Sequence, residues 1–246
     1  MKKRPLIIIL IAICVLLIIP PLLFLSRPGA EPQAEARGAM QSDQDVIVTT
    51  GRWITFSPSE VKPVVGFIFY PGAKVDAQAY APVLHAIAAQ GYLVIAVPMP
   101  FDLAFFGKNR AENIIAEYPE INTWVIGGHS LGGVVAAGYA SSHPDRLAGL
   151  ALWASYPAED QSLAGSDLAV ISISGTRDGL SSPERISASS VLLPEDTIWV
   201  PIEGGNHAQF GDYGPQRGDL PAAIGAAEQQ ESVVQAMVAF LSVLAP

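Results

Sequence analysis

Gly128-His129-Ser130-Leu131-Gly132-Gly133 sets a serine between glycines two positions before it and two after. This Gly-x-Ser-x-Gly pattern follows the apolar run Trp124-Val125-Ile126 and precedes a stretch of small residues with helical character. A serine carried on a one-residue turn between strand and helix has a strained backbone and an exposed hydroxyl, the setting of a nucleophile. Neighbours two positions away on either side then come too close for a Cβ, which is why Gly128 and Gly132 suit those places. The helix that starts near Leu131 points backbone N–H groups at the site and favours a developing oxyanion.

Serine is a weak nucleophile unless a base takes its proton and a third group orients that base. The histidines are His85, His129, His143 and His207. His129 lies inside the turn motif, His85 within a helical stretch and His143 at a helix end. His207, in Glu203-Gly204-Gly205-Asn206-His207, follows the last strand-like run and is the expected base. Asp178, in Gly175-Thr176-Arg177-Asp178-Gly179 after another strand, is the expected acid. Asp102 is the runner-up, and Asp76 and Asp212 are weaker. The chain order is Ser130, Asp178, His207. Two N–H groups are expected to hold the oxyanion, those of Leu131 and of Ala73 in Pro71-Gly72-Ala73-Lys74.

The elements that must position these groups alternate. Strands are expected at Val46–Thr50, Trp53–Ser57, Val64–Tyr70, Tyr92–Val97, Thr123–Gly127, Leu147–Ala154, Leu168–Ser174 and Thr197–Ile202. Helices are expected at Ala77–Gln90, Ala111–Glu117, Leu131–Ser142, Ser182–Ala188 and Ala226–Leu244. After an initial antiparallel pair, this β-α alternation predicts an α/β fold with a parallel sheet covered on both faces. Loops after parallel strands open on one rim of such a sheet, where ligands bind.

Phe69-Tyr70-Pro71-Gly72-Ala73, Gly128 to Gly133, Gly175-Thr176-Arg177-Asp178 and Gly205-Asn206-His207 together resemble the α/β-hydrolase superfamily. The chain is similar in particular to a compact, lidless bacterial group with a dienelactone-hydrolase-like core. The resemblance implies a mostly parallel eight-stranded sheet in the order 1-2-4-3-5-6-7-8 and a serine–histidine–aspartate mechanism. Dienelactone hydrolases carry cysteine at the nucleophile, where this chain has Ser130. Only about thirteen positions separate Ala154 from Asp167, too few for the helical lid of many relatives. Phe101, Leu103, Phe105 and Phe106 are expected to form an apolar wall, and Trp153, Tyr156 and Phe210 also fall on rim loops. A weak substrate pocket of Phe101, Phe105, Trp153 and Phe210 follows.

Composition narrows the alternatives. The formal net charge is −9, and three of the 14 basic residues, Lys2, Lys3 and Arg4, precede the apolar N-terminal run. The rest is strongly acidic and should repel phosphate backbones, so no nucleic acid is expected as a partner. The single cysteine, Cys14, lies in the apolar run, which excludes a disulfide framework or thiolate metal site in the domain. No metal and no organic cofactor is required by the expected chemistry.

Leu6 to Leu25 contains no charged residue. As a helix it would extend about 30 Å, enough to cross a bilayer, with the basic cluster on the cytoplasmic side. Residues 1–26 are therefore expected to be a signal-anchor at the cell membrane, 27–44 a flexible linker, and 45–246 an extracytoplasmic catalytic domain. Secretion after signal-peptide cleavage is the alternative. The expected function is hydrolysis of a carboxylic ester or related acyl bond in a small-molecule substrate. A membrane-tethered binding protein with a dead site and an acyltransferase are the rival readings.

Overall fold

The computed structural model describes Leu17 and residues 19–245. Its strands are β1 (Val46–Thr50), β2 (Ile54–Pro58), β3 (Val65–Tyr70), β4 (Leu93–Ala96), β5 (Thr123–His129), β6 (Gly149–Trp153), β7 (Ala169–Gly175) and β8 (Ile198–Ile202). They form one eight-stranded sheet in the order β1-β2-β4-β3-β5-β6-β7-β8. β1 and β2 pair antiparallel, as do β2 and β4, and every other pairing is parallel. The expected order is thus the observed one.

The helices are α1 (Ala34–Ala39), α2 (Ala81–Ala88), α3 (Arg110–Glu117), α4 (Leu131–Ser142), α5 (Pro183–Ala188) and α6 (Ala226–Leu244). The stretch expected as one helix from Ala77 begins instead with a 3-10 turn, Ala77–Tyr80, started by Asp76, whose carboxylate accepts from the Gln78 N–H at 2.8 Å.

The continuous apolar strands reflect burial on both faces. Along β3 the side chains alternate. Phe67 and Phe69 join Leu84 of α2 and Val233, Met237 and Phe240 of α6 in one core layer. Ile68 and Tyr70 face the other way, toward Ile114 of α3 and Ala136 and Tyr139 of α4. Because β3, β5, β7 and β8 run parallel, their carboxyl ends share one rim. The loops there carry Ala73, Ser130, Asp178 and His207.

Residues 27–44 differ from the flexible linker their composition suggests. Ala30 forms a parallel bridge with Val75. Its N–H donates to the Lys74 carbonyl at 2.7 Å, and its own carbonyl accepts from Asp76 at 3.0 Å. The Gly29 N–H donates to Asp102 Oδ2 at 2.8 Å. Farther on, Gln33 N–H donates to the Asp212 carbonyl and Ala36 N–H to Asp212 Oδ2, each at 2.8 Å. Ala36 in α1 is fully buried. Periodicity misses this segment because what fixes it is polar backbone and two distant carboxylates, of Asp102 and Asp212, rather than an apolar stripe.

The apolar run lies largely outside the described residues. Residues 19–26 are helical. Among the described residues no helix is long and apolar enough to cross a membrane.

Asp212→Ala should leave the Ala36 N–H without its acceptor, at a cost of about 1–3 kcal/mol. For a domain of this size the midpoint of thermal unfolding should fall by about 3–10 °C, as followed by circular dichroism. An unchanged midpoint would mean that the Ala36–Asp212 bond contributes no stability.

Candidate active site

Ser130 sits between β5 and α4 with φ 51° and ψ −124°. A positive φ is rare for a residue with a side chain and persists only where surrounding contacts over-determine it. Those contacts are visible. A Cβ on Gly132 would lie 2.1 Å from the Tyr70 carbonyl oxygen, and one on Gly128 2.5 Å from the same atom. The end of β3 and the start of α4 therefore pack backbone against backbone. The Ser130 N–H donates to the Trp153 carbonyl at 2.9 Å. Its carbonyl accepts from Gly133 and Val134 N–H and from the Ser155 hydroxyl at 2.8 Å. Ser155 is a supporting residue with no sequence signal, since it lies on the next strand's loop.

The structure brings Asp178 and His207 together. Asp178 Oδ2 lies 2.7 Å from His207 Nδ1, and both side chains are buried. Asp178 Oδ1 accepts the N–H groups of Leu180 at 2.8 Å and Ser181 at 2.6 Å, so the carboxylate is aimed by its own loop. The His207 loop is held from two sides. Gln229, fully buried in α6, accepts from the Asn206 N–H at 2.9 Å and donates to the Asn206 carbonyl at 2.7 Å. Asp219 ties the two loops together: Oδ1 accepts from Gly179 N–H at 3.0 Å and Oδ2 from Ala208 N–H at 2.9 Å. His207 Nε2 makes no hydrogen bond to any described residue, Ser130 included. Such bonds commonly tighten only once substrate is bound.

His129, set aside on sequence because of its place in the turn, is a structural partner of the site. Its ring centroid lies 4.5 Å from that of His207, and it stacks on Phe210 at 5.4 Å. This contact joins the end of β5, which leads into Ser130, to the Asp178–His207 pair. Tyr80 oxygen accepts from the Gly72 N–H at 3.0 Å and lies 2.8 Å from His129 Nδ1. Satisfying all three groups requires the Tyr80 O–H to donate and Nδ1 to accept, which leaves the His129 proton on Nε2.

The loop after β3, expected to supply an oxyanion donor, is fixed on both sides of Ala73. Gly72 is bonded to Tyr80, and Lys74, in the left-handed region at φ 57°, donates its N–H to the Asp102 carbonyl at 2.7 Å. The N–H groups of Ala73 and Leu131 donate to no described residue. Both residues are half-buried, as Ser130 is.

The other candidate acids are engaged elsewhere. Asp102 accepts from Gly29, Asp76 from Gln78 and Asp212 from Ala36. The expected pocket is corrected in part. Trp153 and Phe210 are fully buried, Trp153 against Phe69, Phe67 and the Met237 sulfur, so neither lines an opening. Phe101 and Phe105 project from the surface, more than half exposed. Phe105 borders a cleft of about 390 Å³ with Val134 and Tyr139 on the outer side of α4. Among the described residues no group of three or more His, Cys, Asp or Glu could hold a metal ion.

Burial, followed by the nearby His207, holds the His129 imidazole well below its ordinary value of 6.5. His129 therefore stays neutral in the folded protein at pH values where the unfolded chain takes up a proton. Stability from this source is complete above about pH 6.5 and is lost as pH falls below it. His129→Gln, which keeps an acceptor for Tyr80, should flatten the fall of the unfolding midpoint between about pH 7 and pH 5. Parallel curves for parent and variant would remove His129 as the source.

Comparison with known proteins agrees with this architecture. A search of the curated proteins finds no match. TT1662 from Thermus thermophilus superposes with a TM-score of 0.59 at 14% identity, covering 81% of this chain and 98% of that one. The esterase domain of a Rhodothermus marinus protein gives 0.59 at 16% identity, over 76% and 90% of the two chains. A monoacylglycerol lipase of Paleococcus ferrophilus gives 0.57 at 16%, over 79% and 99%. Residues 66–231, more than half of the sequence, match the model of the alpha/beta hydrolase family, and the chain belongs to that family.

Proposed function

We propose that the protein is a serine hydrolase that cleaves a carboxylic ester, or a related acyl bond, through a covalent acyl-enzyme on Ser130. The observation that carries this reading is the buried Asp178–His207 bond of 2.7 Å, whose free Nε2 belongs to the rim on which the strained Ser130 turn stands. Asp178 holds the imidazole with its proton on Nδ1, leaving Nε2 as the base. Ser130 Oγ attacks the carbonyl carbon as its proton passes to Nε2. The resulting oxyanion is received by the unpartnered N–H groups of Ala73 and Leu131, the latter at the start of a 12-residue helix.

Collapse of this intermediate expels the alcohol, which takes the proton from His207. Water then enters by the same route and releases the acid. The Asp178 carboxylate next to the imidazolium stabilises it in both halves of the cycle. Membership of the hydrolase family supports the class of reaction, and the esterase and lipase names among the structural neighbours favour esters. We further propose that the uncharged run Leu6–Leu25 anchors the chain in a membrane, with Lys2, Lys3 and Arg4 on the cytoplasmic side.

Ser130→Ala should lower kcat/KM for p-nitrophenyl esters by about 10⁴-fold or more. Its unfolding midpoint should stay close to the parent's. The parent should be labelled at Ser130 by a fluorophosphonate, and the variant should not. Retained turnover in the variant would overturn the assignment.

A further inference from the structure

We infer that the rim bearing Ser130 rests against the lipid bilayer, so that the enzyme takes an acyl ester directly from the membrane plane. This rests on the proposed hydrolase and anchor. It adds the orientation of the domain and the class of substrate, an amphiphile whose acyl chain lies in the bilayer.

The first support is the absence of slack between the apolar run and the site. The run ends at Leu25. Lys74, the residue after the proposed oxyanion donor, donates from Nζ to the carbonyl oxygens of Leu25 at 3.2 Å, Phe101 at 3.0 Å and Arg27. The same ammonium lies 5.4 Å from the centre of the Phe24 ring. Gly29 and Ala30 are then bonded to Asp102 and Lys74. The last apolar residues are thus fastened to the oxyanion loop itself. A domain held this way cannot turn another face toward the bilayer.

The second support is the surface so presented. Phe101, Phe105 and Phe106 are 55%, 61% and 55% exposed. The rings of Phe101 and Phe106 touch edge to face at 5.6 Å. Three phenylalanines exposed within six residues form a patch, unlike the scattered apolar residues of an ordinary surface. Phe101 and Asp102 have φ of 58° and 54°, two successive left-handed residues, so the backbone carries strain where it turns Phe101 outward. Leu22, Leu23 and Phe24 on the adjoining helical segment are exposed too, which makes the apolar surface continuous with the proposed anchor.

Charge argues for lipid tails rather than anionic headgroups as the contact. The chain carries 23 acidic residues against 14 basic ones. Aromatic rings, which settle at the membrane–water interface, supply the attraction that charge does not. An ester carbonyl at that interface lies level with a rim fastened there.

The test uses the full chain reconstituted in phosphatidylcholine vesicles. In a Phe106→Trp variant, brominated phosphatidylcholine should quench the emission added over that of the parent. Replacing Phe101, Phe105 and Phe106 together by serine should lower the ratio of turnover of a vesicle-borne long-chain p-nitrophenyl ester to that of p-nitrophenyl acetate by about tenfold or more. No added quenching, or an unchanged ratio, overturns the proposal. So does loss of self-association in the serine variant without quenching, because the patch would then cover a second copy. If the parent hydrolyses neither ester, the hydrolase reading fails, while quenching still decides where the rim lies.

Discussion

One contact organises the rim: the backbone of α4 against the carbonyl that ends β3. Gly132 lies so near the Tyr70 oxygen that not even a methyl group fits between them. That proximity holds Ser130 at φ 51°, in a conformation the residue would not adopt alone. It also sets the first turn of α4 beside the loop after β3: a Cβ on Gly132 would lie 2.4 Å from the Pro71 carbonyl oxygen. The seven-residue β5 and the 12-residue α4 amount to a rigid mount for this single turn.

The imidazole side of the rim is built differently, from side chains that reach across sequence. Asp178 is aimed by two N–H groups of its own loop, while the His207 loop is stapled to α6 by both ends of the Gln229 amide. Asp219 bridges the two loops through separate oxygens. Beneath them His129 is kept neutral by burial, with its Nδ1 satisfied by Tyr80. A second charge is thereby kept away from the His207 ring, 4.5 Å from that of His129.

How legible this was depended on the kind of interaction involved. Apolar strands buried on both faces announce themselves as runs, so all eight strands were readable. α4 and α6 were readable to their ends, because Gly128 to Gly133 punctuates one and apolar spacing marks the other. Ser130, Asp178 and His207 could be nominated because each follows a strand. The supports could not. Ser155, Asp219 and Gln229 act through side-chain hydrogen bonds to the backbone of other segments, and nothing in their local sequence sets them apart from ordinary polar residues. Trp153 and Phe210 depart from the expected pocket for a related reason. A strand-end aromatic can turn inward or outward, and here the Met237 and Phe69 side chains draw Trp153 into the core.

The bond between Ala36 and Asp212 spans 176 residues. A ribosome delivers the chain from its N-terminus, so α1 emerges long before the carboxylate that receives it. Until the loop after β8 has been made, residues 29–36 have only the early partners around Lys74 and Asp102. The strap along the rim is consequently among the last parts to set, and its final closure reports that the histidine-bearing loop has found its place.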